Sequence, residues 1–452
     1  MTPAAAKVPG GTPESRPHPT ARTSRTRAGA VALGVVASLT LTLGGCGTLG
    51  LTGDNEVTLK VVAADYGDSP ANSSKGYWDK LARDFEEANP GVKVDVSVYS
   101  WSEVDAKVAE MVKAGKAPDI AQIGAYADHA AAGRLYSADE VLKVTTQADF
   151  QESLADAGKV GRVQYGMPFV ASTRLLFYNR KLLDEAGVAK ADTDWHPKTW
   201  ADLESAAKAL KERAKVKTPV AIPLGREEAQ AETMIWTLAG GGGYTDPDES
   251  YAIDSPANAA TFTWIRDHLT GPGLTGPVAP ASLDRQAAFD AFTRGEVGML
   301  NGHPTLMKQA QAKGIEYGMT PMPTLDGAEE PTMGVADWVM AFKNGHPAEA
   351  GKFLDTLFAQ KNVTAFTDTY GLLPTTSSGY RAMESSADPK VTGLKTFLKT
   401  LPASRLYPVN KESWAATSET VKTGIGAAVA PGGQPAKVLA RIAAQARAAD
   451  AG

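Results

Sequence analysis

The 452-residue chain contains a single cysteine, Cys46, and only six histidines, which are scattered along its length. One cysteine cannot form an intramolecular disulfide, a zinc finger or a four-cysteine cluster. The histidines form neither an HExxH motif nor a pair four residues apart, the spacings typical of metal ligands on a helix. We therefore expect neither a metal nor any other cofactor.

The sequence also lacks an excess of basic residues. It has 46 Lys and Arg against 51 Asp and Glu, which gives a net charge of −5. Proteins that hold nucleic acid need a cationic surface to neutralise phosphates, so we expect no nucleic-acid partner. With 43% hydrophobic and 21% charged residues, the chain is well balanced for folding and too long for one compact domain. Two domains are therefore expected.

Common catalytic signatures are missing as well. The chain has no GxSxG nucleophile elbow and no GxxxxGK[ST] phosphate loop. The glycine run at 240–243 leads into a turn-forming segment, which predicts a loop and not a phosphate site. We expect no enzymatic activity. A glycosidase needs only two suitably placed acids, which sequence spacing does not exclude, so a secreted glycan-cleaving enzyme is one alternative.

The first 45 residues have the pattern of an export signal. Residues 1–27 contain five basic residues and one acid, whereas residues 28–45 are uncharged and rich in Ala, Val, Leu and Gly. This order, ending in small residues, is typical of a signal peptide. A membrane-spanning anchor is the alternative, but four glycines weaken the apolar stretch, which is barely long enough to cross a bilayer. We predict a signal peptide over residues 1–45.

Cys46 ends the sequence Leu43-Gly44-Gly45-Cys46, which resembles a bacterial lipobox. In a lipobox the cysteine is lipid-modified and becomes the first residue of the mature protein. The resemblance implies a protein anchored at the extracellular face of the cell membrane. Residues 46–56 are rich in Gly and Thr and fit a short flexible tether. Loss of residues 1–45 would leave the chain four charges more negative.

Strand and helix patterns alternate at the start of the predicted mature chain. Residues 57–63, 92–98 and 119–123 have the apolar patterns of strands. The segments between them carry apolar residues at helical spacing. This order predicts an α/β fold with a parallel sheet, in which ligands meet the loops at the carboxyl ends of the strands.

Residues 165–183, YGMPFVASTRLLFYNRKLL, resemble the YG-x-P … YN-[KR] block of bacterial extracellular solute-binding proteins of the maltose-binding type. Further blocks follow in the family's order, and they are APDI at 117–120, PKTWADL at 197–203, GEVGM at 295–299 and GLLP at 371–374. The match runs from Val57 to about Ala444. Proteins of this family deliver carbohydrates to ABC importers.

The resemblance implies a two-lobed fold like that of periplasmic binding proteins, with three interlobe crossings and a central ligand cleft. Mapped onto this sequence, the lobes would be formed by residues 57–168 with 338–371 and by residues 172–333 with 375–452. The crossings would fall near residues 168–172, 333–338 and 371–374. Such proteins close by hinge rotation around the ligand.

The resemblance also implies a function. We expect a lipid-anchored, monomeric protein that captures a mono- or oligosaccharide between its lobes and presents it to the permease subunits of an ABC transporter. A protein of the same fold that binds a charged small molecule, such as a polyamine or a phosphate ester, is the second alternative.

Sugar sites combine aromatic platforms for the C–H faces with carboxylates and amides for the hydroxyls. Residues that follow the first three predicted strands supply Asp65, Tyr66, Trp101 and Tyr126 as candidates. The resemblance adds candidates at the first two crossings and on the late segment of lobe two, namely Ser172, Thr173, Asp337, Trp338, Arg405 and Trp414.

One position departs from the family. Its members often carry an aromatic residue two positions after the turn at Asn301-Gly302, where this chain has Pro304. His303 would supply a hydrogen bond there in place of a stacking platform. Three other tryptophans lie on apolar helical stripes and are expected in the core, and these are Trp78, Trp200 and Trp264.

Overall fold

The computed structural model describes residues 56–67, 69–328 and 332–451. The predicted signal peptide, the predicted lipid-modified Cys46 and residues 46–55 of the predicted tether lie outside the described residues. Within the described part of the chain, no helix has both the length and the apolar character needed to span a membrane.

Most strands of the described ranges are short. They are β1 (Val57–Ala64), β2 (Val92–Tyr99), β3 (Ile120–Ile123), β4 (Leu135–Tyr136), β5 (Lys159–Val160), β6 (Val163–Gln164), β7 (Met167–Thr173), β8 (Leu175–Asn179), β9 (Thr218–Ala221), β10 (Val297–Gly302), β11 (Tyr317–Thr320), β12 (Gly334–Phe342) and β13 (Leu373–Pro374).

The α-helices of the described ranges are distributed along the whole of those ranges. The first are α1 (Lys75–Ala88), α2 (Val104–Lys113), α3 (Ala127–Ala131), α4 (Ala138–Val141), α5 (Val144–Gln147), α6 (Glu152–Ala157), α7 (Arg180–Glu185), α8 (Trp200–Glu212) and α9 (Ala229–Ala239). The others are α10 (Pro256–Trp264), α11 (Arg285–Thr293), α12 (Pro304–Ala312), α13 (Pro347–Leu357), α14 (Gln360–Tyr370), α15 (Ser377–Ser385), α16 (Pro389–Thr400), α17 (Trp414–Gly424) and α18 (Pro435–Asp450).

The larger sheet has the strand order β13-β7-β12-β3-β1-β2, with β4 paired to β12. β1 runs parallel to both β2 and β3, so the parallel arrangement predicted for these three strands is confirmed, although the sheet as a whole is mixed. β12 returns antiparallel between β3 and β7. This strand comes from far along the chain, and it brings residues 334–342 beside the loops that follow β1 and β3.

The smaller sheet has the order β11-β8-β10-β9. The chain enters it directly after β7, since only Arg174 separates β7 of the larger sheet from β8 of the smaller one. It returns to the larger sheet between the end of β11 at Thr320 and the start of β12 at Gly334. The two sheets are the cores of two lobes, while the lobe boundaries predicted from the sequence stay a prediction.

Aromatic side chains fill both cores. Trp78 and Trp200 are 0% and 1% exposed, which confirms their prediction as core residues. Trp264 is half-buried and packs against Trp200, with ring centroids 4.8 Å apart. Each large aromatic side chain that is buried removes a large apolar area from water and so stabilises its lobe.

Candidate ligand-binding cleft

A cleft of about 670 Å³ is lined by loops and helices that lie next to the larger sheet and the smaller sheet. Its first wall is formed by the loops after β1 and β3, by α2 and by the start of β12. Its second wall is formed by the segment before α9 and by α11, α12 and α17. A concave site of this volume suits a small organic ligand. Its first wall lies at the carboxyl ends of the parallel strands, where such sites are expected.

Asp337 on β12 lines the first wall and is held by a chain of hydrogen bonds. The Tyr66 hydroxyl donates to Asp337 Oδ2 at 2.6 Å. Gln122 Nε2 donates to the Tyr66 oxygen, also at 2.6 Å, and Gln122 Oε1 accepts the Ala64 N–H at 3.2 Å. The chain joins three neighbouring strands, so it fixes the orientation of the Asp337 carboxylate towards the cleft.

The electrostatic surroundings of Asp337 disfavour its charge. Burial raises the pKa of Asp337 to about 7, because the surrounding protein withdraws the carboxylate from bulk water. The hydrogen bond from Tyr66 and the charge of Arg174 lower the pKa, while the charges of Glu228 and Asp105 raise it. The side chain keeps partial contact with the cleft and can therefore be reached by a ligand.

An ion-pair network forms part of the second wall. Arg174 is 5% exposed, and its NH2 group donates to Glu228 Oε1 at 2.5 Å while NH1 donates to Ser172 Oγ at 3.0 Å. The other carboxylate oxygen of Glu228 lies 2.7 Å from Arg285 Nε. Arg285 NH2 also donates to Glu227 Oε1 at 2.5 Å. Two guanidinium groups and two carboxylates thus neutralise one another at this end of the cleft.

Aromatic side chains face the cleft from both walls. On the first wall, the rings of Tyr66 and Trp101 meet edge to face with centroids 5.6 Å apart. On the second wall, Tyr407 and Trp414 stack with centroids 5.1 Å apart and an interplanar angle of 28°. The Tyr407 hydroxyl is buried and has no hydrogen-bond partner among the described residues.

His303 lies at the start of α12 on the second wall. Its ring packs on Phe289 at 5.1 Å. Burial lowers the pKa of His303 well below its usual range, and the charges of Arg174 and Arg285 lower it further. The imidazole is therefore neutral at physiological pH and offers one donor and one acceptor. Its buried Nδ1 has no hydrogen-bond partner within the described ranges.

Behind the second wall, α9 carries a buried acid, Glu232. Its Oε1 accepts hydrogen bonds from Trp236 Nε1 at 2.7 Å and from Asn301 Nδ2 at 3.1 Å. Burial nevertheless raises the pKa of Glu232 to about 7. The group therefore titrates near neutral pH, although it does not line the main cleft.

Asp65 lines the first wall, but its carboxylate is engaged by its own loop. It accepts hydrogen bonds from Gly67 N at 3.0 Å, Ser74 N at 2.8 Å and Ser73 Oγ at 2.7 Å. Burial alone would raise the pKa of Asp65, but these donors outweigh it and hold the pKa below its usual value. The residue anchors the loop that leads into α1, and little of its accepting capacity is left for a ligand.

The structure brings seven of the eleven predicted binding residues together on the cleft. Six segments that are distant in sequence contribute these residues. They are Asp65, Tyr66, Trp101, Ser172, His303, Asp337 and Trp414.

The other four predicted residues do not line the cleft. Tyr126 is fully buried and its hydroxyl donates to the Ala157 carbonyl at 2.5 Å. Trp338, 1% exposed, packs on Tyr126 because it faces the opposite side of β12 from Asp337. Thr173 is buried and donates to the Phe397 carbonyl. Arg405 is exposed, and its backbone pairs with Met333.

Sequence reasoning missed the ion-pair network of the second wall, which consists of Arg174, Glu227, Glu228 and Arg285. It also missed Tyr407, whose hydroxyl has no hydrogen-bond partner among the described residues. Arg174 had a usable signal, since it follows Ser172 and Thr173 at the first predicted crossing. The adjacent acids 227 and 228 had none, because acid pairs are frequent on exposed helices. Among the described residues, no cluster of His, Cys, Asp and Glu could hold a metal ion.

The family model of the bacterial extracellular solute-binding proteins matches residues 71–364. The chain belongs to this family. Two relatives match over most of their length. A lipoprotein of Streptomyces antibioticus is 24% identical over 84% of this chain and 82% of its own. The maltodextrin-binding protein MdxE of Bacillus subtilis is 23% identical over 77% of this chain and 82% of its own.

Solved structures of this family share the fold. The GacH receptor of Streptomyces glaucescens, determined without ligand and with acarbose, superposes with a TM-score of 0.71 and 22% identity, over 88% of this chain and 99% of the receptor. The expected two-lobed α/β fold like that of periplasmic binding proteins is therefore confirmed, as is the resemblance to the family.

Proposed function

We propose that the protein captures a carbohydrate in the cleft and delivers it to an ABC importer, while a lipid on Cys46 anchors it to the outer face of the cell membrane. The observation that carries the proposal is the pairing of aromatic faces with hydrogen-bonding groups on both walls. The maltodextrin-binding relative and the acarbose-bound receptor support the same ligand class.

The aromatic pairs match the shape of a sugar. Trp101 and Tyr66 on one wall and Tyr407 on the other can cover the C–H faces of a pyranose ring, and Trp414, which is 2% exposed, supports the Tyr407 ring from behind. Asp337 can accept hydrogen bonds from sugar hydroxyls, and the free hydroxyl of Tyr407 can exchange one with them. Because the groups stand on both walls, a bound sugar would favour the closed arrangement of the lobes.

A thermal-shift screen with mono- and oligosaccharides tests the ligand class. A ligand at a hundredfold excess over its Kd stabilises the folded state by about 2.7 kcal/mol, so a true ligand raises Tm. Trp101→Ala should weaken sugar binding. Trp195→Ala is the matched control, since Trp195 is a half-buried tryptophan that packs on Tyr178 and does not line the cleft. A shift with phosphate esters or polyamines and with no saccharide would contradict the proposal.

Anchoring and delivery need separate tests. Cys46→Ala should release the protein from membranes or leave an unprocessed precursor, whereas unchanged processing and attachment would rule out the lipid anchor. Delivery is tested by uptake of the identified sugar in cells that lack this protein. We propose a monomer without enzymatic activity, so size-exclusion chromatography should give the apparent mass of a single chain. Incubation with the bound oligosaccharide should release no shorter products.

A further inference from the structure

The charged side chains of the cleft do not balance. Seven carboxylates and four Lys or Arg side chains line it. Three of the four bases are already paired, since Arg174 and Arg285 bind Glu228 and Glu227, and Arg226 forms an ion pair with Glu419. The unbalanced acids lie on the first wall, and the second wall is close to neutral.

Asp337 is the most enclosed of these acids. The cation that acts on it, Arg174, already donates to Ser172 and Glu228. Oδ2 of Asp337 accepts a hydrogen bond from the neutral Tyr66 hydroxyl, and among the described residues the carboxylate has no ion-pair partner. A buried carboxylate without a cation is costly, and a ligand that brings a cation removes that cost.

The groups that face Asp337 come from five separate elements. Tyr66 follows β1, Asp105 lies on α2, Arg174 follows β7, Glu228 precedes α9 and Tyr407 lies between α16 and α17. Glu228 and Asp105 add negative potential at the carboxylate. The hydrogen-bond chain through Gln122 keeps the carboxylate turned towards the cleft, so this potential acts where a ligand binds.

We infer that the natural ligand is a sugar with a basic amino group, which binds as an ammonium against the Asp337 carboxylate while the sugar ring lies between the aromatic side chains. This inference rests on the proposed function and names the substrate class within it. A neutral sugar would satisfy Asp337 with hydroxyl donors alone. An ammonium adds an ion pair to that hydrogen bond, because its positive charge compensates the buried carboxylate and a hydroxyl donor does not.

Matched pairs of sugars test the inference by isothermal titration calorimetry. Glucosamine with glucose, and the β-1,4 glucosamine disaccharide with cellobiose, differ only in amine against hydroxyl. Any neutral sugar found by the thermal-shift screen is compared with its 2-amino-2-deoxy counterpart in the same way. At pH 7 the amine should bind at least tenfold tighter in the pair that fits the cleft. The preference should fall between pH 7 and pH 5 as Asp337 takes up a proton.

Asp337→Asn should abolish the preference for the amine, leaving the two members of the pair within about twofold. Glu296→Gln, which removes a carboxylate of an exposed pair with Arg294 outside the cleft, should keep it. The inference is overturned if the neutral sugar binds as tightly as its amine, or if the preference survives in Asp337→Asn. If no saccharide of either kind binds, the proposed function fails with it; if only neutral sugars bind, the proposed function stands and this inference fails.

Discussion

Glu228 connects Arg174 and Arg285 in the cleft, and its replacement should lower the stability of the protein by a measurable amount. Its two oxygens bind Arg174 at 2.5 Å and Arg285 at 2.7 Å. In Glu228→Gln, Arg285 keeps Glu227 as a partner, whereas Arg174 loses the carboxylate it is paired with. The side chain of Arg174 is only 6% exposed, so its charge would be left poorly compensated inside the protein.

The size of the effect follows from that burial. Breaking a buried ion pair by removing one partner costs about 3–5 kcal/mol. The Glu228 side chain is 22% exposed and glutamine still accepts one hydrogen bond, so we expect a loss of about 2–3 kcal/mol in the free energy of unfolding. Glu419→Gln is the matched control, because the Glu419 and Arg226 side chains are 50% and 69% exposed. Exposed pairs of this kind contribute under about 1 kcal/mol.

Urea unfolding of both variants at pH 7, followed by circular dichroism, measures the two losses. A similar small loss in both variants would mean that the Arg174–Glu228 pair is as well solvated as a surface pair. The account of the second wall as a desolvated network would then be wrong. Glu228→Gln should also lower the pKa of Asp337, because the charge of Glu228 raises it.

Three further predictions concern stability. The pKa of Glu232 is raised from 4.5 to about 7, so the native state loses stability as pH rises through 7, and Glu232→Gln should remove about 3 kcal/mol of the loss between pH 5 and pH 8 in urea unfolding. Asp337→Asn should likewise reduce the loss of stability between pH 5 and pH 8, since the pKa of Asp337 is raised from 3.8 to about 7. If the variant loses as much stability over this pH range as the parent protein, the predicted effect is wrong. Gly166→Ala should cost about 1–3 kcal/mol, because a Cβ there would come within 2.7 Å of the Tyr126 ring. Gly76→Ala, with open space in α1, should be neutral or stabilising, and equal Tm values for the two glycine variants would contradict this packing argument.

Local patterns in the sequence predicted the first strands and helices, whereas the two-lobed architecture was implied by the resemblance to the family. Apolar alternation in 57–63 and 92–98 predicted β1 and β2, and the helical stripes between them predicted the crossovers. Trp101 was found because it directly follows a predicted strand whose carboxyl end opens on the cleft. These features depend on residues that are close in sequence, so a single sequence is enough to predict them.

The side of a strand that a residue faces depends on what packs against it, and this could not be predicted from the sequence. Asp337 and Trp338 are adjacent in sequence, and both were predicted in the site, yet successive side chains of a strand face opposite sides. A register shift between these two residues in the pairing of β12 with β7 accompanies the change of side. Which of the two faces the cleft depends on what packs against the other face, and Trp338 meets Tyr126 there at 5.5 Å.

The same limit explains why two aspartates predicted for one role have opposite properties. Asp65 receives its donors from residues two to nine positions away, and they hold its pKa down. Asp337 receives one neutral donor, Tyr66, from 271 positions away. Burial raises its pKa, and the charges of Glu228 and Asp105 raise it further. A loop can supply donors locally, so Asp65 is satisfied before any ligand arrives. The charge of Asp337 is left to be compensated by what enters the cleft, so we expect ligand selectivity to depend on Asp337.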